Sequence, residues 1–191
     1  MAPTRLSNPQ ETAMTLCQAD RSTLLIIDPQ ARLLPAIHDG DEVVRRLVQL
    51  ATAARELRIP VIGTEENPDG LGPLVPEVAA LCDTVLSKFH FDATAEPGFL
   101  SRLPQGRRTF VVAGCEAHVC VMQTVAGLLD NGHEVKWVAD AVGSRHPHNR
   151  LAATERARRM GADIVTTEMV IFEWLRTSEH PKFRQMLQLV R

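Results

Sequence analysis

Three side chains of complementary chemistry stand out in the sequence. They are an acid, Asp28, in IIDPQ (Ile26–Gln30), a base, Lys88, in LSKFHF (Leu86–Phe91), and a thiol, Cys120, in GCEAHVC (Gly114–Cys120). A free thiol ionises near pH ~8.5, so at neutral pH it is mostly the weakly nucleophilic form. A helix N-terminus and a nearby ammonium both favour the thiolate. A carboxylate within reach can accept the thiol proton and later return it to a leaving group. Backbone amides around Glu116 and Cys120 are candidates to bind a developing oxyanion. The chemistry such a set would perform is nucleophilic acyl transfer. Each residue also has an ordinary role open to it: Asp28 as a turn cap before Pro29, Lys88 as a solvated charge, Cys120 as a small core hydrophobe. What distinguishes the two readings is whether the fold brings the three together.

The elements that must position them are legible as runs. Continuous apolar, β-rich segments alternate with helical patterns, the signature of parallel strands buried on both faces and covered by helices. The expected strands are Thr23–Asp28, Pro60–Thr64, Thr84–Lys88, Thr109–Ala113, Glu134–Ala139 and Asp163–Thr166. Asp41–Arg58 is expected as a helix, with Val44, Leu47, Val48, Leu50 and Ala51 forming its apolar stripe. Further helices are expected over Val119–Asn131, closed by Gly132, over His148–Met160, ended by Gly161, and over about Met169–Arg176 and Lys182–Val190. A Gly/Pro-rich loop, Asn67–Pro76, precedes one more short helix. The expectation is an arm over residues 1–20, then a single α/β domain over 21–191. That domain is a three-layer α/β/α sandwich with a doubly wound, mostly parallel six-stranded sheet. Such sheets bind ligands beyond the carboxyl ends of their strands, where the strand order reverses. Asp28 closes the first expected strand, Lys88 closes the third, and Cys120 follows the fourth where a helix begins. All three should converge on one edge.

Composition narrows the partners. Of 191 residues, 45% are apolar and 23% charged, and the net charge is −2, without the basic excess of a nucleic-acid binder. Arg156, Arg158 and Arg159 read as a solvated helix face. No segment approaches the ~20 apolar residues of a membrane span. MAPTRLSNPQETAMTL at the start lacks the apolar stretch of a secretory leader, so a cytoplasmic chain is expected, its four cysteines (Cys17, Cys82, Cys115, Cys120) held as thiols. There is no CxxC pair, and the seven histidines show no ligand spacing, so no metal is expected. After the first strand IDPQARLL lacks the glycines of a pyrophosphate turn, so no nucleotide cofactor is expected either.

IIDPQ, LSKFHF and AGCEAHVCVMQT (Ala113–Thr124) resemble the isochorismatase-like cysteine hydrolases, the superfamily of nicotinamidases and N-carbamoylsarcosine amidases. The resemblance runs from about Arg21 to Arg176. TEENPDGLGPLVPE (Thr64–Glu77), GCEAHVC, DAVGSR (Asp140–Arg145) and HPKF (His180–Phe183) are most similar to the isochorismatase domain-containing subgroup. The resemblance implies an Asp–Lys–Cys triad of Asp28, Lys88 and Cys120, and a non-proline cis peptide at Cys115–Glu116 that helps form the oxyanion site with Cys120. It leaves Cys115 a structural role. Gln30, Glu65, Phe89, Phe91, His118 and Val119 are the candidates to line a substrate pocket. Nicotinamidases hold a metal through Asp-x-His and further histidines after strand two, whereas this chain reads GTEENPDGLGP there, without a histidine. The implied activity is hydrolysis of a small amide or related C–N bond by a homo-oligomer without cofactor. The competing expectation is a binding protein that keeps the fold and has lost turnover.

Overall fold

A computed structural model of the chain describes residues 15–191. The expected arm falls mostly outside the described residues, but its last part is not loose. Cys17 is fully buried and its N–H donates to Glu173 Oε2 at 2.7 Å, while the Lys136 ammonium binds the Thr15 carbonyl.

Six strands form the sheet: β1 (Ser22–Ile27), β2 (Val61–Glu66), β3 (Thr84–Lys88), β4 (Thr109–Cys115), β5 (Glu134–Gly143) and β6 (Asp163–Val165). Their order is β3-β2-β1-β4-β5-β6, and every pairing is parallel. Strand parity divides the core. Leu24 and Ile26 face one layer, with Leu47, Leu50 and Trp174. Leu25 and Ile27 face the other, with Val125, Leu128 and Trp137. The first layer is built on α1 (Gly40–Glu56), with the single turn α3 (Pro76–Ala79) against it, and α2 (Pro68–Leu71) is a single turn just after β2. The second holds α4 (Met122–Asp130) and α5 (Pro147–Arg159), and α6 (Thr167–Leu175) and α7 (Phe183–Leu189) return to the first. The three-layer α/β/α sandwich expected from the sequence is therefore the fold.

Among the boundaries that differ from expectation, three have a local reason. The Asn67–Pro76 loop contains α2, because Pro68 sits at a first helical position where its missing N–H costs nothing. The helix expected from Val119 starts earlier, as a π-helical turn over Ala117–Val121 that runs into α4. β5 continues to Gly143, with a register shift against β4 between Val112 and Gly114 that takes up the extra residues. Arg156, Arg158 and Arg159 are exposed on α5, and Arg158 and Arg159 pair with Glu155.

Candidate functional site

The sheet's order reverses between β1 and β4, and the charged groups gather at the carboxyl ends of the strands around that point. β1 ends at Ile27, and Asp28 follows with φ of 49°, a left-handed conformation that aspartate tolerates better than most residues. β4 comes very close to β1 here. At Gly114, with φ of 120°, a Cβ would lie 2.0 Å from the Ile27 carbonyl oxygen, so only glycine fits. The next peptide bond but one, Cys115–Glu116, is cis, and the π-helical turn carrying Cys120 begins directly after it.

Asp28 and Lys88 have no side-chain exposure, and Lys88 Nζ lies 2.7 Å from Asp28 Oδ2. Thr64 Oγ1 donates to the other oxygen, Oδ1, at 2.7 Å. Oδ2 accepts no well-angled hydrogen bond, so the ammonium's charge is what holds it. Lys88 also donates to Glu66 Oε2 at 2.8 Å and to the His90 carbonyl at 3.3 Å. The Cys120 sulfur and carboxylate oxygens of Asp28 and Glu66 all lie within 4.8 Å of one another. The carboxylates face an ammonium already in place rather than an open cation site.

This arrangement sets the charge state of each group. Burial works against the Lys88 charge, but Asp28 and Glu66 outweigh it and hold the ammonium above the usual lysine range. Burial first, then the Asp28 carboxylate, push the Cys120 thiol far above its ordinary value, with Lys88 opposing. A thiolate at rest, which a helix start and a neighbouring lysine suggest in the sequence, is thus not favoured here: the sulfur is buried and the carboxylate lies near. The resting pair is a neutral thiol beside a carboxylate.

The six residues expected to line a pocket separate into groups. Gln30 is fully buried and spends its amide on backbone: Nε2 donates to the Glu66 and Gly72 carbonyls at 3.0 and 2.6 Å, and Oε1 accepts from Glu66 N–H at 2.9 Å. Glu65 accepts the Leu74 N–H at 2.8 Å. His118 is half-buried, with Nδ1 3.1 Å from Ser144 Oγ and Nε2 3.3 Å from Asn149 Nδ2, and Val119 is half-buried on the same turn. Phe89 and Phe91 are exposed on the loop after β3. Glu116 is held by Arg145, whose N–H and Nε both donate to its Oε2. Two residues at the centre, Thr64 and Glu66, were not singled out by sequence reasoning. The available signal was parity, since side chains two apart on a strand share a face.

The Isochorismatase domain model matches residues 22–169, most of the chain. The chain belongs to the isochorismatase family. Among curated relatives of this family, isochorismatase domain-containing protein 2 of Xenopus laevis is 36% identical over 171 residues, which are 88% of this chain and 83% of that one. Among solved structures, the MAR1 ribonuclease of Caenorhabditis elegans superposes with a TM-score of 0.87 at 33% identity, covering 92% of each chain. YcaC from Pseudomonas aeruginosa, solved with hexane-2,5-diol and covalent acrylamide, superposes with a TM-score of 0.85 at 27% identity, covering 96% of this chain and 93% of that one.

Proposed function

We propose that this isochorismatase-family chain is a cysteine hydrolase that cleaves a small amide, or a related C–N bond, through a thioester at Cys120. The observation that carries the proposal is the buried meeting of acid, ammonium and sulfur, with Asp28 2.7 Å from Lys88 and the Cys120 sulfur within 4.8 Å of an Asp28 oxygen. Asp28 takes the thiol proton as the sulfur attacks the carbonyl carbon, and backbone amides around Glu116 and Cys120 stabilise the oxyanion. Asp28 then returns that proton to the nitrogen as the C–N bond breaks, releasing ammonia or an amine. Water, deprotonated by Asp28, attacks the thioester, and the thiol is regained as the acid departs. Lys88, 2.7 Å from Asp28 Oδ2, orients the carboxylate. Covalent acrylamide in the YcaC neighbour fits a family site with a nucleophile of the kind that adds to an activated alkene.

Ammonia release from a panel of small amides (nicotinamide, pyrazinamide, carbamoyl compounds) tests the reading, with Cys120→Ala as control. Turnover with a wild-type acyl-enzyme seen by intact mass, and loss of about three orders of magnitude or more in the variant, is the expected outcome. A folded Cys120→Ala variant with undiminished turnover would overturn it. A protein that binds members of the panel without turning any over is instead a binding module.

A further inference from the structure

Within the proposed active site, one charged group has no part in the triad's proton transfers. Glu66 ends β2 and is the register partner of Lys88. Its residue is 8% exposed, Gln30 clamps its backbone on both sides, and the Lys88 ammonium holds its carboxylate at 2.8 Å. Oε2 receives the Lys88 ammonium, whereas Oε1 accepts no hydrogen bond from the described residues. Asp28 and Lys88 have no exposed side-chain surface, while Glu66 keeps 11% of its own. Of the three charged groups around the sulfur, it is the one that an incoming molecule can touch.

We propose that Glu66 is a specificity-determining residue whose free carboxylate oxygen selects substrates with an N–H-rich neutral or cationic group (ureido, amidino or ammonium) next to the scissile carbonyl. The inference rests on the hydrolase reading above and names the substrate class for it. Two carboxylates and one ammonium around Cys120 leave a net negative site, with little water to screen it. A carboxylate-bearing substrate would bring a like charge against Glu66, and a phosphodiester would do the same. An N–H donor instead satisfies Oε1 and offsets the negative charge that builds on the oxyanion. Specificity built this way comes from repulsion of the wrong class as much as attraction of the right one.

Charged thiol reagents test the proposal without the natural substrate. The rates at which 2-aminoethyl and 2-sulfonatoethyl methanethiosulfonate modify Cys120, mapped by peptide mass, are compared with their rates on glutathione. The cationic reagent is expected to gain about tenfold or more over the anionic one relative to glutathione, and E66Q, isosteric and still able to accept from Lys88, is expected to erase most of that gain. Thermal melting of E66Q checks that its fold persists. A reactive Cys120 without charge preference, or a preference that E66Q leaves intact, overturns the Glu66 assignment alone. A Cys120 inert to both reagents overturns the nucleophile reading and this inference with it.

Discussion

Lys88 bridges two carboxylates that come from different strands, Asp28 after β1 at 2.7 Å and Glu66 on β2 at 2.8 Å. Removing one member of a buried ion pair strands the other's charge, a cost of about 3–5 kcal/mol, whereas removing both is far milder. The two one-sided variants should therefore differ. Lys88→Met leaves Asp28 with no cation and is expected to lose about 3–5 kcal/mol in urea unfolding. Asp28→Asn leaves the ammonium paired with Glu66 and is expected to lose only about 1–2 kcal/mol. The Asp28→Asn/Lys88→Met double variant should recover part of the Lys88→Met loss. Equal costs for the two single variants would mean that Glu66 does not share the charge.

Gln30, expected from the sequence as a pocket candidate, spends its side-chain amide on backbone groups. Gln30→Leu leaves Glu66 N–H and the Glu66 and Gly72 carbonyls without partners in a buried position. We expect a loss of about 2–4 kcal/mol by urea unfolding. Turnover should fall further than stability explains, since Glu66 loses its clamp. A variant with unchanged stability would mean that water replaces the amide without cost.

What the sequence made visible was whatever depends on strand order and length. Asp28, Lys88 and Cys120 were placed on one edge because each ends or follows an apolar run, and the continuous burial of β1 and β4 made those runs plain. Glu66 escaped because it sits next to Glu65, and nothing in TEEN states where strand two stops. With the strand extended to Glu66, Thr64 and Glu66 share the face of Asp28 while Glu65 points to Leu74. The resting state of Cys120 escaped for a different reason. A helix start and a lysine are visible as neighbours in the chain's plan, but the closeness of Asp28 to the sulfur and the depth of burial are properties of the packed edge.

Stability should fall at alkaline pH, and the sign follows from the thiols. Burial pushes Cys115 up to about 12 and Cys82 up to about 11, from an ordinary value of 9.0. Both are therefore protonated in the fold over a range where the unfolded chain has released its protons. Between pH 9 and about 11 the unfolded state binds fewer protons, so each step in pH favours unfolding. Lys88, raised by its carboxylates against burial, adds to the same trend from its unperturbed value upward. The chain has no tyrosine to obscure the titration. Urea midpoints are expected to drop steadily from pH 8.5 to 10.5, and less steeply for Cys115→Ala. A flat profile would show that these thiols ionise in the fold as they do in the open chain.

The loop that follows Lys88 is fastened to α4, the helix that follows Cys120. Thr124, on α4 one turn beyond Cys120, accepts the buried Ala93 N–H at 3.0 Å and donates to the Phe91 carbonyl at 3.3 Å. Three residues on, Gly127 faces the same loop, where a Cβ would lie 2.1 Å from Thr94 Oγ1 and 2.6 Å from the Asp92 carboxylate. Thr124→Val keeps the shape and removes both hydrogen bonds, leaving Ala93 N–H unpaired at a cost of about 1–3 kcal/mol. Amide exchange over residues 89–95 should speed up, while α4 itself stays protected. Gly127→Ala should displace the loop by side-chain contact instead. Because Lys88 donates to the His90 carbonyl within that loop, the proposed mechanism requires both changes to lower turnover without touching Asp28, Lys88 or Cys120. Thr124→Ser restores the hydroxyl and should restore the protection. Exchange that is unaltered in Thr124→Val would show that the loop holds its position by packing alone.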